Sequence, residues 1–177
     1  MAGGPRPVGP TLRRARAAAR SLGTGSAALL RTDVRSFYAS VTPPVAFRSL
    51  TEMDVDPRVA SRAADMLDGW GSEGYAGLPI GPRGSAVIAN AVLAPLDAEL
   101  ERYRFLRWVD DYLIAAPTER DVPRLLERID ESLARVGLER SGPKTEVLSG
   151  GTGVVWPGAY LRDDLADRKL EDVGRAV

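Results

Sequence analysis

The stretch Arg107-Trp108-Val109-Asp110-Asp111-Tyr112-Leu113-Ile114 sets two adjacent acids between two apolar, β-prone runs and reads as strand, acidic turn, strand. An Asp-Asp pair alone says little, because about one is expected by chance in a chain of this length. Asp163-Asp164 is a second. The setting carries the weight. Neighbouring side chains of a regular strand point to opposite faces, so two carboxylates serve one site only where the chain turns at them. Phe105 to Val109 and Tyr112 to Ala116 are rich in aromatic and branched residues, which predicts a tight hairpin with the acids at its tip. Repelling carboxylates find relief in a divalent cation with oxygen ligands, Mg²⁺ or Mn²⁺. Taken alone, the motif reads more readily as a solvated polar hairpin than as a metal site.

Three further blocks change that balance. Ala27 to Tyr38 is an apolar strand-like run ending in Asp33, followed by Val34-Arg35-Ser36 and two aromatics. Gly77-Leu78-Pro79-Ile80-Gly81-Pro82-Arg83-Gly84-Ser85 opens a helical pattern, and Val136-Gly137-Leu138 with Pro143-Lys144-Thr145 follows the hairpin. In this order the four blocks resemble the palm of reverse transcriptases: an acid-bearing strand, a Leu-Pro-x-Gly-x-x-x-Ser turn, an aromatic-x-Asp-Asp hairpin, and Gly-Leu then Lys-Thr. Among bacterial members the likeness is to those of retron, group II intron and phage-defence type.

The resemblance implies an α+β fold, a polymerase palm with an antiparallel sheet and helices packed on one face, ferredoxin-like or RRM-like at its core. It implies RNA-directed DNA synthesis from deoxynucleoside triphosphates on an RNA template, from a DNA or RNA primer. Asp33, Asp110 and Asp111 would hold Mg²⁺ or Mn²⁺ with the Val34 carbonyl, and Lys144 would be the general acid for pyrophosphate. The amides of Ser36 and Phe37 would hold the triphosphate. Tyr38 would lie under the sugar and reject a ribose 2′-hydroxyl. Pro79, Ile80 and Gly81 would pass close to the nucleotide, with Ile80 apolar where retroviral relatives carry a polar residue. Trp108 stands where Tyr or Phe is usual. On local grounds alone, Asp33 reads as a strand-end cap, Phe37 and Tyr38 as core aromatics, and Lys144 as a surface lysine.

Composition sets the outer bounds. The chain has 177 residues with 24 basic and 24 acidic side chains, neither Cys nor His, and a calculated pI near 6.4. Disulfides, thiolate or imidazole metal sites, cysteine nucleophiles and histidine bases are thereby excluded, and any metal must sit on oxygen. No global positive field advertises nucleic acid, although a cleft needs only local Arg and Lys. No apolar run has the length of a membrane span, which points to a soluble, cytoplasmic protein without a membrane partner.

The organisation reads as a flexible N-terminus with a short basic helix over 1–26, a palm over 27–162 and a charged tail over 163–177. The basic helix, Thr11 to Gly23, is readable as a solvated face, a phosphate contact or a leader. Helices are predicted over Pro57 to Leu67 (Val59, Ala63, Met66, Leu67 inward), from an N-cap at Ser85 (Val87, Ile88, Ala91, Val92 inward) with a kink or interruption at Pro95, and over Thr118 to Val136. Short strands are predicted at Thr145 to Leu148 and Val154 to Trp156. About thirty residues flank the palm blocks on each side, too few for complete fingers and thumb. A truncated frame, a non-catalytic palm that binds nucleic acid or a partner, a palm completed by a partner chain, and a template-independent nucleotidyl transferase are the other readings.

Overall fold

The computed structural model describes residues 12–24 and 26–149. In chain order these form α1 (Leu12–Thr24), β1 (Ala28–Asp33), α2 (Phe37–Ser40), α3 (Pro43–Glu52), α4 (Pro57–Ser72), α5 (Arg83–Leu100), β2 (Arg104–Trp108), β3 (Asp111–Ala116), α6 (Val122–Arg135) and β4 (Glu146–Ser149). The four strands form one antiparallel sheet in the order β2-β3-β1-β4. This is the α+β architecture expected. The predicted strand at Val154 to Trp156, the Asp163-Asp164 pair and the charged tail lie outside the described residues. No helix among the described residues is long and apolar enough to cross a membrane.

Strand alternation builds two cores of unequal size. Ala28 and Leu30 of β1 and Tyr112, Ile114 and Ala116 of β3 face a large cluster with α3 to α6, including Leu93, Leu96, Leu125, Ile129 and Leu133. Leu29 and Leu113 point the other way and meet Ala15, Ala19 and Leu22 of α1. The main helical layer therefore lies on one face, and α1 caps part of the opposite one. The division of the sequence after residue 26 separates α1 from a sheet with which it shares a core.

Several local expectations shift. Helix α5 starts at Arg83 after Pro82, not at an N-cap Ser85; Ser85 is buried with no partner for its hydroxyl among the described residues. Pro82, at φ −58, holds the entry conformation itself. Pro95 does not break α5, which runs on to Leu100 because Leu93, Leu96 and Leu100 are anchored in the core. Val87 is exposed, as are Val59 and Met66 of α4, where the inward residues are Ala60 and Leu67 with Ala63 and Trp70 partly covered. Two adjacent helical stripes share Ala63, and packing against α3 selects the one through Leu67. Phe37 and Tyr38 sit on a four-residue helix, so it is helical rotation that separates buried Phe37 from half-buried Tyr38.

Candidate active site

The hairpin forms with a two-residue tip, Val109 and Asp110, between the register pair Trp108 and Asp111. Val109 has φ 58, the sign a type II′ turn needs at its first central position. Asp110 thus occupies the turn and Asp111 heads β3. Asp111 lies directly opposite Asp33 across the β1–β3 ladder, so a separation of 78 positions in sequence closes to neighbouring strand positions. Period two puts Leu29, Arg31 and Asp33 on one face of the sheet, with Asp111, Leu113 and Trp108 beside them. Asp33 and Asp111 therefore share the face that α1 partly covers, away from the main helical layer, and Asp110 adjoins them in the turn.

Charge compensation is supplied within the chain. Lys144 Nζ donates to both Asp33 oxygens at 3.0 and 3.1 Å, and Arg31 reaches Asp111 at 3.4 Å and Glu146 at 3.0 Å. Burial pushes the Asp110 carboxyl up to about 6, and the nearby Asp33 charge adds to the effect. Asp33 is raised in the same sense by burial, against the pull of Lys144. Among the described residues no trio of acids is gathered as a prebuilt cation site. The donors nonetheless fit a hard divalent ion in kind: three carboxylates at one strand end, two of them directly opposed and one reluctant to ionise in their company.

The backbone behind Asp33 is tied down on both sides. The Ser141 amide donates to Asp33 O at 2.8 Å and the Arg35 amide to Glu139 O at 2.8 Å, while the Val34 amide donates to Asp110 O at 3.3 Å. A strand residue points its N–H and C=O the same way, which aims the Val34 carbonyl toward the Asp110 turn. Ser36 then adopts the left-handed conformation, φ 45 and ψ 38, and α2 begins. Burial raises the Tyr38 phenol, with the Asp110 charge contributing, so the ring lies within electrostatic reach of the hairpin tip.

Of the Leu78 to Ser85 turn, Ile80 is 88% exposed and Gly81 has φ +119. The join to the acid strand is made one step earlier. The Leu78 amide donates to Tyr38 O at 2.7 Å, and a Cβ on Gly77 (φ +65) would fall 2.1 Å from that same oxygen. No local sequence signal marks Gly77, Arg31 or Arg107 as part of the site. Arg31 is legible only as a same-face neighbour of Asp33 two positions away, and the close approach of Gly77 exists only in three dimensions. An open groove of about 680 Å³ lined by Glu99, Arg128, Glu131, Ala134 and Arg135 belongs to the α5–α6 side and does not touch these groups.

The antiparallel sheet thus presents two acids on opposed strand ends and a third on the adjoining hairpin tip, within the α+β architecture of a polymerase palm. A family model described as reverse transcriptase (RNA-dependent DNA polymerase) matches residues 7–162. The chain belongs to the reverse transcriptase family. A search of curated proteins found no match.

Proposed function

We propose that this chain carries the catalytic palm of an RNA-directed DNA polymerase that extends a DNA or RNA primer on an RNA template. The observation that carries this reading is the register pair Asp33–Asp111 with Asp110 in the adjoining turn. Asp33, Asp110 and Asp111, with the Val34 carbonyl, would hold Mg²⁺ or Mn²⁺; the bound ions would neutralise charge on the attacking 3′-hydroxyl and the departing pyrophosphate. The protein's own part is positioning. The left-handed Ser36, followed by the first-turn amides of α2, suits a triphosphate oxygen. Tyr38 would stand under the sugar and exclude a 2′-hydroxyl, while Pro79, Ile80 and Gly81 would flank the base. Affinity to the retron, intron or defence branch rests on the four sequence blocks.

Primer extension with purified chain tests the reading: deoxynucleotide incorporation that follows an RNA template's sequence supports it, and untemplated addition would replace it with a template-independent transferase. In Tyr38→Ala the preference for deoxy- over ribonucleotides is expected to fall by roughly 10- to 100-fold at similar deoxynucleotide kcat, about 1–3 kcal/mol of discrimination.

Lys144 has two proposed roles that its mutation separates. Its ammonium must leave Asp33 before a cation takes that carboxylate, and in the reaction it would return a proton to pyrophosphate. Lys144→Met is therefore expected to tighten Mn²⁺ binding by about threefold to tenfold while lowering kcat. Calorimetric titration and single-turnover rates report the two effects; weaker Mn²⁺ binding would contradict the competition.

A second reading, a palm that binds nucleic acid or a partner chain without catalysis, draws support from the Lys144–Asp33 and Arg31–Asp111 pairs, in which the chain's own cations neutralise two of the acids. It predicts a folded chain that retains RNA but shows no Mn²⁺ affinity above that of Asp110→Asn.

A further inference from the structure

Behind the hairpin tip lies a polar cluster that the proposed chemistry does not use. Arg107, on β2, directs its guanidinium toward α5. Nε donates to Asp97 at 2.9 and 3.1 Å, Nη2 to Asp97 at 2.8 Å, both Nη groups to Asn90 Oδ1 at 3.1 Å, and Nη1 to the Val109 carbonyl at 2.9 Å. All five N–H donors are thus engaged. The Tyr112 hydroxyl donates to the same Asp97 at 2.9 Å, and the guanidinium carbon stands 6.0 Å from the Tyr112 ring centroid. The Arg107 side chain is only 18% exposed.

The last of Arg107's contacts matters most. Val109 is a β-branched residue at φ 58, a conformation that costs of order 1–3 kcal/mol and persists only where its surroundings enforce it. The carbonyl gripped by Arg107 is that of Val109, one bond before Asp110. On the far side the Val34 amide grips the carbonyl of Asp110. The two bonds hold the turn from opposite directions, one from α5 and one from the acid-bearing strand.

We propose that Arg107, braced by Asp97 and Asn90, is a positioning residue that locks the Val109–Asp110 turn to α5 and so aims the Asp110 carboxylate at Asp33. The inference rests on the reading of Asp110 as a working carboxylate. A lysine could supply the charge but not the planar fork that serves three acceptors at once. Because the Leu78 to Gly81 loop leads through Pro82 into α5, the bracket ties the hairpin tip to the helix that follows that loop.

The test is amide hydrogen exchange on the full metal-free chain, read by NMR, with Mn²⁺ titration beside it. The Val34 amide reports the turn, because its acceptor is Asp110 O; the Ile114 amide, in the middle of β3, reports the sheet. Arg107→Lys is expected to speed exchange at Val34 by about tenfold with Ile114 unchanged, and to weaken Mn²⁺ binding by a similar factor. Asn90→Ala, which removes one exposed acceptor, should give a smaller acceleration of the same pattern and guards against a misfolded Arg107 variant. Unchanged exchange at Val34, or equal acceleration at Val34 and Ile114, overturns the proposal, the latter by making Arg107 a general contributor to stability. Absence of Mn²⁺ binding by the wild-type chain would count against the polymerase reading, while the exchange result decides the bracket on its own.

Discussion

Asp110→Asn is expected to abolish templated incorporation, by about a thousandfold or more in kcat, and at the same time to stabilise the metal-free chain. The isosteric amide removes a charge that burial and Asp33 both disfavour. The sign follows from proton binding: between the ordinary carboxylate range and about 6, folded Asp110 keeps a proton that the unfolded chain has released, so stability falls as pH rises through that window and levels above it. With partial exposure allowed for, the loss is on the order of 1 kcal/mol. Thermal unfolding at pH 7.5 should therefore place Asp110→Asn above wild type, and the difference should shrink as pH is lowered from 6 toward 4. Mn²⁺ affinity of the wild type should fall over the same interval, since proton and cation compete for one carboxylate. A variant less stable than wild type at pH 7.5 would mean that Asp110 is stabilised as an anion, contrary to this account.

Gly77→Ala should be the most damaging single-methyl change in the loop region. The added carbon would sit 2.1 Å from Tyr38 O and 2.8 Å from the backbone of Ala39, at φ +65, so the clash falls on backbone that cannot rotate away. Gly74 provides the control: its φ is +92 but nothing lies within 4 Å of its Cβ position. Gly74→Ala should cost about 1 kcal/mol from conformation alone, whereas Gly77→Ala should cost roughly 3 kcal/mol or more because α2 must shift. For a domain of this size that separates the two variants by several degrees in Tm, about 2–4 °C per kcal/mol. Gly77→Ala should also impair deoxynucleotide selectivity by moving Tyr38. Equal melting temperatures for the two variants would show that the close approach is relieved without cost.

The elements legible in the sequence were those with local signals. The hairpin announced itself through β-prone flanks around a short acidic tip, and α6 through a single apolar stripe from Val122 to Leu133. The Asp33 strand was legible as an apolar run with a terminal acid. Less legible were choices between neighbouring faces, such as Met66 outward and Leu67 inward on α4, because adjacent stripes differ little in composition and only the partner helix decides. The Ser85 cap misled for a related reason: a hydroxyl suited to capping was instead buried two residues inside the helix.

By itself, the sequence determined the order of strands and helices, the oxygen-only chemistry open to a chain without Cys or His, and which acids are candidates for it. Local propensity and side-chain type act over a few residues, and those properties depend on nothing more. Tertiary structure alone decided what each acid faces: Asp111 against Asp33, Lys144 on Asp33, Arg31 on Asp111, Arg107 behind the turn and Gly77 against Tyr38. These contacts join residues that are far apart in the chain or on different elements. Their energies arise from register, burial and charge in space, none of which a linear pattern carries.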